Sequence, residues 1–142
     1  MKINKDLIIS GTNKNLETIN TEVECLKGIC LFSGDSNGTI TLNDSVANYE
    51  YIRIYYRNID GFYSSLDIYE PNGKHAMLIS IYPIANTIFA TQGRIIKIND
   101  NIIATFDTRY GEGIVDGNNA CRLTNSNLEY IYRIVGFKKV SQ

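Results

Sequence analysis

Few side chains in this chain of 142 residues could act as a catalytic nucleophile and base. His75 is the only histidine, so a Ser/His/Asp or Cys/His arrangement would need it as the general base. It comes shortly after a predicted turn at 71–73. The G-x-S-x-G match "GDSNG" at 34–38 lies in a predicted turn that no helix follows, unlike the strand-to-helix turn of a nucleophile elbow. Cys121, in a predicted loop, is the remaining candidate nucleophile. These features predict that the chain is not a nucleophilic hydrolase.

The acidic residues do not form a recognisable catalytic pair. Glycoside hydrolysis needs two carboxyl groups about 5–10 Å apart in a groove, whereas Glu112 and Asp116 share one predicted loop. Three further acids lie on predicted strands: Asp67, Glu70 and Asp107. The turns at 33–38 and 111–113 lack the helix and lysine of a phosphate-binding loop. The sequence therefore predicts no enzymatic activity, no cofactor and no metal.

The chain has three cysteines, Cys25, Cys30 and Cys121, which is an odd number. Their spacing, with a single histidine, matches no zinc pattern. We expect three reduced, mostly buried thiols, as is usual for a protein made in a reducing cytoplasm. A disulfide between Cys25 and Cys30, or between subunits, is the alternative.

The tyrosines form the most prominent surface feature that the sequence predicts. Tyr51 and Tyr55 alternate with aliphatic residues on one predicted strand, and Tyr63 and Tyr69 lie on its predicted hairpin partner. Such a patch stacks on sugars or fills a protein interface, because tyrosine offers a large apolar area with a polar tip. The alternative is that both faces of the hairpin are buried, in a two-sided sandwich or against another subunit.

The elements that would position these residues are short strands separated by turns. In 49–57, Ile52, Ile54 and Tyr56 fall on one face, and Phe62, Leu66 and Ile68 match them on the next strand. The segment 111–127 has no sustained period and is predicted to be a long surface loop. The predicted strands are 29–33, 39–43, 49–57, 62–70, 74–83, 86–92, 94–99, 102–110 and 128–137.

Eight or nine strands at this spacing indicate an all-β protein with an antiparallel β-sandwich or jelly-roll-like body. The body is predicted to span 29–142, and residues 1–28 are predicted to hold an N-terminal strand or turn and one short helix. The apolar positions of that helix follow a heptad seam: Leu16, Ile19, Val23 and Leu26. A helix this short is marginal alone, so it indicates either an oligomer stem or a helix packed on its own body.

The charge and hydropathy of the sequence argue against nucleic acids and membranes as partners. The net charge is −1 with no block of one sign, which argues against nucleic-acid binding. No apolar run is long enough for a membrane span, and the N-terminus does not resemble a secretory signal. We therefore expect no nucleic acid partner and no membrane insertion, with synthesis in the cytoplasm and no signal peptide.

The segment "LFSGDSNGTITLNDSVANYEYIRIYYR" resembles the C-terminal head modules of tail-fibre and baseplate proteins from bacteriophages and prophages of Gram-positive hosts. The resemblance rests on the start Leu31 to Gly34, on a Gly-x-Ile-x-Leu strand from Gly38, and on an Asp-Ser-Val-x-Asn-Tyr turn from Asp44 to Tyr49. The turn "YEPNGK" (69–74) and the ending "YIYRIVGFK" (130–138) are also similar. It covers most of the chain from residue 29 to residue 138.

The resemblance implies a homotrimeric virion component at the tail tip, with a short helical stem and a β-rich head. Its implied partners are other tail or baseplate proteins and a cell-wall or surface polysaccharide of the host. Two alternatives remain open. One is a purely structural virion protein that binds only other tail proteins, and the other is a monomeric carbohydrate-binding module.

If the head binds a receptor, we expect the contacts to lie in the segment 109–127. Loops on a rigid scaffold often carry recognition, and this one is predicted to be long and polar. The candidate contacts are Arg109, Tyr110, Asp116, Asn118, Asn119 and Arg122.

Overall fold

A computed structural model describes Leu16 and residues 27–85, 88–114, 122–124 and 127–139. Of the predicted stem, Leu16 is half-buried, while Ile19, Val23 and Leu26 lie outside the described residues. The N-terminal helix and its role as an oligomer stem therefore stay predictions. The described part of the chain is nearly all β-strand, as the alternating patterns predict.

The strands form two antiparallel sheets. One has the order β1-β9-β3-β4, and the other has the order β2-β7-β6-β5 with β8 paired to β7. A 3-10 turn spans Val46–Asn48. The strands are β1 (Ile29–Ser36), β2 (Ile40–Thr41), β3 (Tyr51–Asn58), β4 (Tyr63–Tyr69), β5 (His75–Ala85), β6 (Ile88–Asn99), β7 (Ile102–Ile114), β8 (Arg122–Thr124) and β9 (Glu129–Phe137).

The core lies between the inner faces of the two sheets and contains residues from both. In β3, Ile52, Ile54 and Tyr56 are buried and alternate with half-buried neighbours, which confirms the predicted facing. The buried cluster also includes Leu78 of β5 and Ile134 of β9. Isoleucine predominates in it, which is typical of strands that pack on one face.

The turn between the predicted hairpin strands 49–57 and 62–70, and the predicted turn at 71–73, have the expected backbone. Gly61 and Gly73 adopt positive φ values of 84° and 80°, which glycine reaches without a steric penalty. The first turn closes the β3–β4 hairpin, in which Tyr51 faces Tyr69 and Arg57 faces Tyr63. Phe62, predicted to point inward, is instead 53% exposed, because it precedes β4 and falls in the turn.

Three details of the prediction are wrong. The predicted strands 86–92 and 94–99 form the single strand β6, because Gly93 stays in register between Ile79 and Arg109. The predicted loop 111–127 begins with the end of β7 and contains β8, whose Leu123 pairs with Gly111. Cys30 is an exposed free thiol rather than a buried one, and the other two cysteines lie outside the described residues.

Candidate functional site

The four predicted tyrosines lie on the outer surface of the β1-β9-β3-β4 sheet. Tyr51 and Tyr55 occupy the half-buried positions of β3, and Tyr51 is paired with Tyr69 on β4. Tyr63 and Tyr69 are 67% and 56% exposed. Two more aromatic side chains join them from β9. We call this surface the aromatic face and define it by Tyr51, Tyr55, Tyr63, Tyr69, Tyr132 and Phe137.

The rings of the aromatic face are stacked on one another. Tyr51 stacks on Tyr69 at one side and on Phe137 at the other, with ring-centroid distances of 4.9 and 4.5 Å. Tyr132 lies 6.0 Å from Tyr55 and 5.4 Å from Tyr63. These distances are in the range of favourable aromatic pairs. The rings therefore form a preorganised platform.

Arginines and carboxylates lie among these rings. Arg53 donates two hydrogen bonds, of 2.6 and 2.8 Å, to the carboxylate of Asp67, and its guanidinium lies 5.6 Å from the Phe137 ring centroid. The hydrogen bond from Arg53 lowers the pKa of Asp67 below its ordinary value. Arg57 contacts Asp35 at 2.5 Å and lies over the ring of Tyr130. The polar groups of this face are thus held in place by neighbours within the chain.

A groove of about 340 Å³ opens beside Tyr69 at one end of the aromatic face. It is lined by apolar and polar groups of the chain: Ala47, Asn48, Tyr49, Glu50, Tyr69, Glu70 and Lys139. Glu70 has a positive φ of 46°, which is uncommon for a residue with a side chain. The groove therefore places carboxylates, an amide and an ammonium group next to an exposed ring, which suits a ligand with an apolar face and several hydroxyl groups.

Gly136 supports the wall of this groove. A Cβ atom at this position would come within 2.5 Å of Cδ1 of the Tyr49 ring, so no other residue fits without a shift. The Tyr49 hydroxyl donates a 2.9 Å hydrogen bond to the carboxylate of Asp44. Burial, assisted by this bond, raises the pKa of Tyr49 to about 12. Tyr49 is consequently fixed both by its ring and by its hydroxyl group.

Polar side chains are also buried between the two sheets. Arg94 is fully buried and donates hydrogen bonds to Oγ1 of Thr105 and to the carbonyl groups of Ser36, Gly38 and Glu129. The Glu129 side chain is also fully buried, and among the described residues neither carboxylate oxygen has a hydrogen-bond partner of normal geometry. Burial lowers the pKa of Arg94 to about 10 and raises that of Glu129 to about 6.

A second buried group continues this interior cluster. Gln92 donates to the Tyr82 hydroxyl at 2.5 Å and to Asp60 at 3.2 Å, and the Tyr82 hydroxyl donates to the same carboxylate. Burial, together with the Asp60 contact, raises the pKa of Tyr82 to about 12. Because Gln92 and Glu129 are buried, these groups do not reach a substrate from the surface. We interpret the cluster as a structural link between the sheets.

The remaining predicted contacts are not brought to the aromatic face. Arg109 and Tyr110 lie in β7 of the other sheet rather than in a loop, and the guanidinium of Arg109 contacts Asp107 at 2.6 Å. Arg122 lies in β8, where its backbone pairs with Glu112. Asp116, Asn118 and Asn119 lie outside the described residues. The predicted ligand contacts are therefore divided between two sheets.

Tyr132 and Phe137 are the members of the aromatic face that sequence reasoning missed. The alternation in 128–137 marks a strand, but nothing local shows that this strand lies beside β3. A β-bulge between Tyr55 and Tyr56 shifts the register with β9 by one residue and brings Tyr132 to the outer surface. The signal that could have found them is their shared aromatic character.

The histidine, cysteine and acidic side chains of the described ranges 27–85, 88–114, 122–124 and 127–139 are dispersed. There, no group of three His, Cys, Asp or Glu side chains is placed to hold a metal ion. No helix in the same part of the chain is long and apolar enough to cross a membrane. The ring of His75 contacts the ring of Phe106 edge-on at 5.2 Å. The sequence matches no family model and no curated protein.

Proposed function

We propose that this chain is a non-enzymatic head of a bacteriophage or prophage tail or baseplate, and that it binds a cell-wall or surface polysaccharide of the host. In this proposal the two sheets form a jelly-roll-like β-sandwich, three copies assemble through the heptad segment, and the protein resides at the virion tail tip. The observation that carries the proposal is the aromatic face with its adjoining groove.

The chemistry of this face suits a sugar. The apolar C–H face of a pyranose packs on an exposed aromatic ring, while its hydroxyl groups need hydrogen-bond donors and acceptors around the rim. Tyr63 and Tyr69 offer exposed rings, and Arg53 and Asp67 offer a guanidinium and a carboxylate in fixed orientation. Because these groups already contact one another, binding requires little ordering of side chains.

Several copies would strengthen the binding of a repeating polysaccharide. Shallow sites bind weakly one at a time, and linking several of them raises the overall affinity without any new contact. The proposed homotrimer would offer three such faces. Other tail or baseplate proteins would then be its structural partners.

The proposal is tested by titrating the full chain with soluble cell-wall polysaccharides of Gram-positive bacteria in a calorimeter. We expect Tyr69→Ala to weaken binding at least about fivefold, since loss of a stacking ring costs about 1 kcal/mol. Phe62→Ala is the matched control, because Phe62 is 53% exposed and lies outside the aromatic face. Unchanged binding after replacing both Tyr63 and Tyr69 would remove the assignment of the site.

A second candidate function is that of a purely structural virion protein. It is favoured by the outer surface of the other sheet, where Met77, Ile79 and Ile81 are 54%, 42% and 67% exposed. Exposed aliphatic groups of this kind mark contacts with other proteins rather than with sugars. Failure of every polysaccharide to bind, together with capture of this chain by a purified tail component, would favour this function.

A further inference from the structure

The outer surface of the β5–β6–β7 strands carries aliphatic and aromatic side chains without partners that cover them. Ile79 and Ile81 of β5 are 42% and 67% exposed, Phe89 of β6 is 39% exposed, and Phe106 of β7 is 67% exposed. The residues of β5 and β6 lie on the side opposite the core, because they alternate with buried residues such as Leu78. Phe106 lies at a register shift of β7, and its exposed ring contacts that of His75 edge-on. We call this surface the aliphatic face and define it by Met77, Ile79, Ile81, Phe89, Ile95 and Phe106.

Gly93 lies at the centre of the aliphatic face, between Ile79 and Arg109 in the register. A Cβ atom there would contact only the carbonyl oxygen of Leu78, at an ordinary 3.9 Å. Packing within the chain therefore does not require a glycine at this position. A glycine inside a strand often marks a place where a ligand or another chain approaches closely.

The missing side chain leaves a depression of about 150 Å³ above Gly93. Its walls are formed by side chains of all three strands, including Met77, Ile79 and Ile95. An apolar cavity of about this volume accepts a molecule the size of benzene. The same face offers a side chain of that size, because the ring of Phe106 is 67% exposed. The surface thus contains both a depression and a protruding group that matches it in size.

The charges at the edge of the depression neutralise each other. Asp107 and Arg109 line it, and they form an ion pair with an N–O distance of 2.6 Å. Because the two groups pair with each other within the chain, the edge carries no net charge and does not repel an identical face. A partner carrying a single sign of charge would gain nothing from this arrangement.

We infer that the aliphatic face is the surface through which copies of this chain associate, with a protruding side chain of one copy occupying the depression above Gly93 of the next. The inference rests on the proposed trimer and identifies the part of the head that joins it. Three such faces around one axis would form a common apolar core. The aromatic faces would then remain on the outside of the assembly.

The size of the face indicates how strong this association is. Strands lie about 4.8 Å apart and rise about 3.4 Å per residue, so three strands over the nine residues 75–83 cover a projected area of about 400 Å². A standard interface buries about 800 Å² on each partner. The face by itself therefore supports a weak, concentration-dependent assembly, and contacts elsewhere, such as the predicted stem, must add to it.

The test is the mass of the full chain in solution, measured by light scattering over a range of concentrations. We expect the wild type to approach three chains and Ile79→Asp to fall to one. Gly93→Leu should also give one chain, since its side chain fills the depression from within. Ser65→Asp is the matched control, because it adds the same charge at an exposed strand position of the other sheet and should keep the wild-type mass. Circular dichroism of each variant checks that it is folded.

Each outcome has a definite meaning. A monomeric wild type would overturn both the inference and the proposed trimer. The aliphatic face would then not be a contact between copies of this chain. A trimer that survives both Ile79→Asp and Gly93→Leu would overturn the inference but not the proposed function. A dimer lost in both variants would support the interface and overturn the trimer. Calorimetric titration with polysaccharide separates the two proposals, because a monomeric Ile79→Asp should keep its affinity for a single short glycan.

Discussion

The two outer faces of this protein differ in how many contacts their exposed side chains make with other side chains of the chain. On the aromatic face, Tyr51 is stacked between two rings and Arg53 holds Asp67 through two hydrogen bonds. On the aliphatic face, Ile79 and Ile81 project from the sheet around a depression. The aromatic face is ordered before any ligand arrives, whereas the aliphatic face becomes buried only when another protein covers it.

The exposed fraction of the side chains does not by itself distinguish the aromatic face from the aliphatic face. Tyr63 and Ile81 are both 67% exposed, yet the consequences differ. The tyrosine keeps its hydroxyl group in water while its ring is available for stacking, whereas the isoleucine presents only hydrocarbon. The comparison shows that the chemistry of the exposed atoms, rather than their area, indicates which kind of partner each face suits.

The largest effect on stability that we expect comes from a glycine behind the aromatic face. Gly136→Ala forces its Cβ atom against the Tyr49 ring, which is itself buried, so the variant should lose about 1–3 kcal/mol of unfolding free energy. Urea denaturation followed by tyrosine fluorescence measures the loss. Unchanged stability would mean that the ring moves freely, and the aromatic face would not be as rigid as its packing indicates.

The carboxyl group of Glu129, which is buried between the two sheets, should make the stability of the protein depend on pH. Glu129 has its pKa raised to about 6 by burial, from 4.5 when unfolded, so the folded state binds the extra proton between these values. The contribution of Glu129 to stability should therefore be fully present below about pH 4.5 and be lost, by up to about 2 kcal/mol, as the pH rises through 6. Arg94 and Tyr82 are the other buried titratable groups of this cluster.

Denaturation at several pH values, compared with Glu129→Gln, checks this prediction. The variant should show a flat profile between pH 4.5 and 6. The carboxyl groups of Asp44 and Asp67, whose pKa values are lowered by hydrogen bonds, lose their contributions only at lower pH. A wild-type profile that rises with pH through this window would show that Glu129 is ionised and well paired. Binding measurements on both faces should be made at one pH for this reason.

A substitution of Gly93, on the aliphatic face, should change the free energy of unfolding by a smaller amount. Gly93→Ala places its Cβ atom in open space, with only Leu78 O near it at 3.9 Å. Removing the flexibility of glycine from the unfolded chain should stabilise the protein by about 0.4–1 kcal/mol. The measurement is made in the Ile79→Asp background so that association does not contribute. A loss of stability comparable to that of Gly136→Ala would abolish the contrast between the two glycines.

The smallest effect concerns the ion pair on the aromatic face. Arg53→Met should hardly change the stability, since exposed ion pairs contribute little and are screened by salt. The pKa of Asp67 should instead return upward toward its ordinary value, because the hydrogen bonds from Arg53 are its main cause of lowering. Carbon NMR titration of the Asp67 carboxyl group detects this. An unchanged pKa would show that the pair does not order the face in solution.

The sequence was informative wherever a pattern is local. The alternation of Ile52, Ile54 and Tyr56 indicated which face of β3 is buried, and the Gly-containing turn at 58–61 indicated the β3–β4 hairpin. The turn at 71–73 was also expected, although it joins strands of different sheets. These features follow from the backbone, since successive side chains of a strand point to opposite sides and glycine tolerates positive φ. The tyrosine grouping on β3 and β4 could be anticipated for the same reason, because a hairpin fixes its own register.

The sequence alone did not identify contacts that join distant segments. Phe137 stacks on Tyr51 only because β9 lies beside β3, and a bulge brings Tyr132 to the same surface. The sequence predicted that Gly93 separates two strands. In the structure it pairs with Ile79 and Arg109 and lies inside β6. Local sequence thus determined the strands, their turns and their buried sides. Which strands become neighbours, and hence the composition of both outer faces, was decided by tertiary packing, because burying a shared core depends on the whole chain at once.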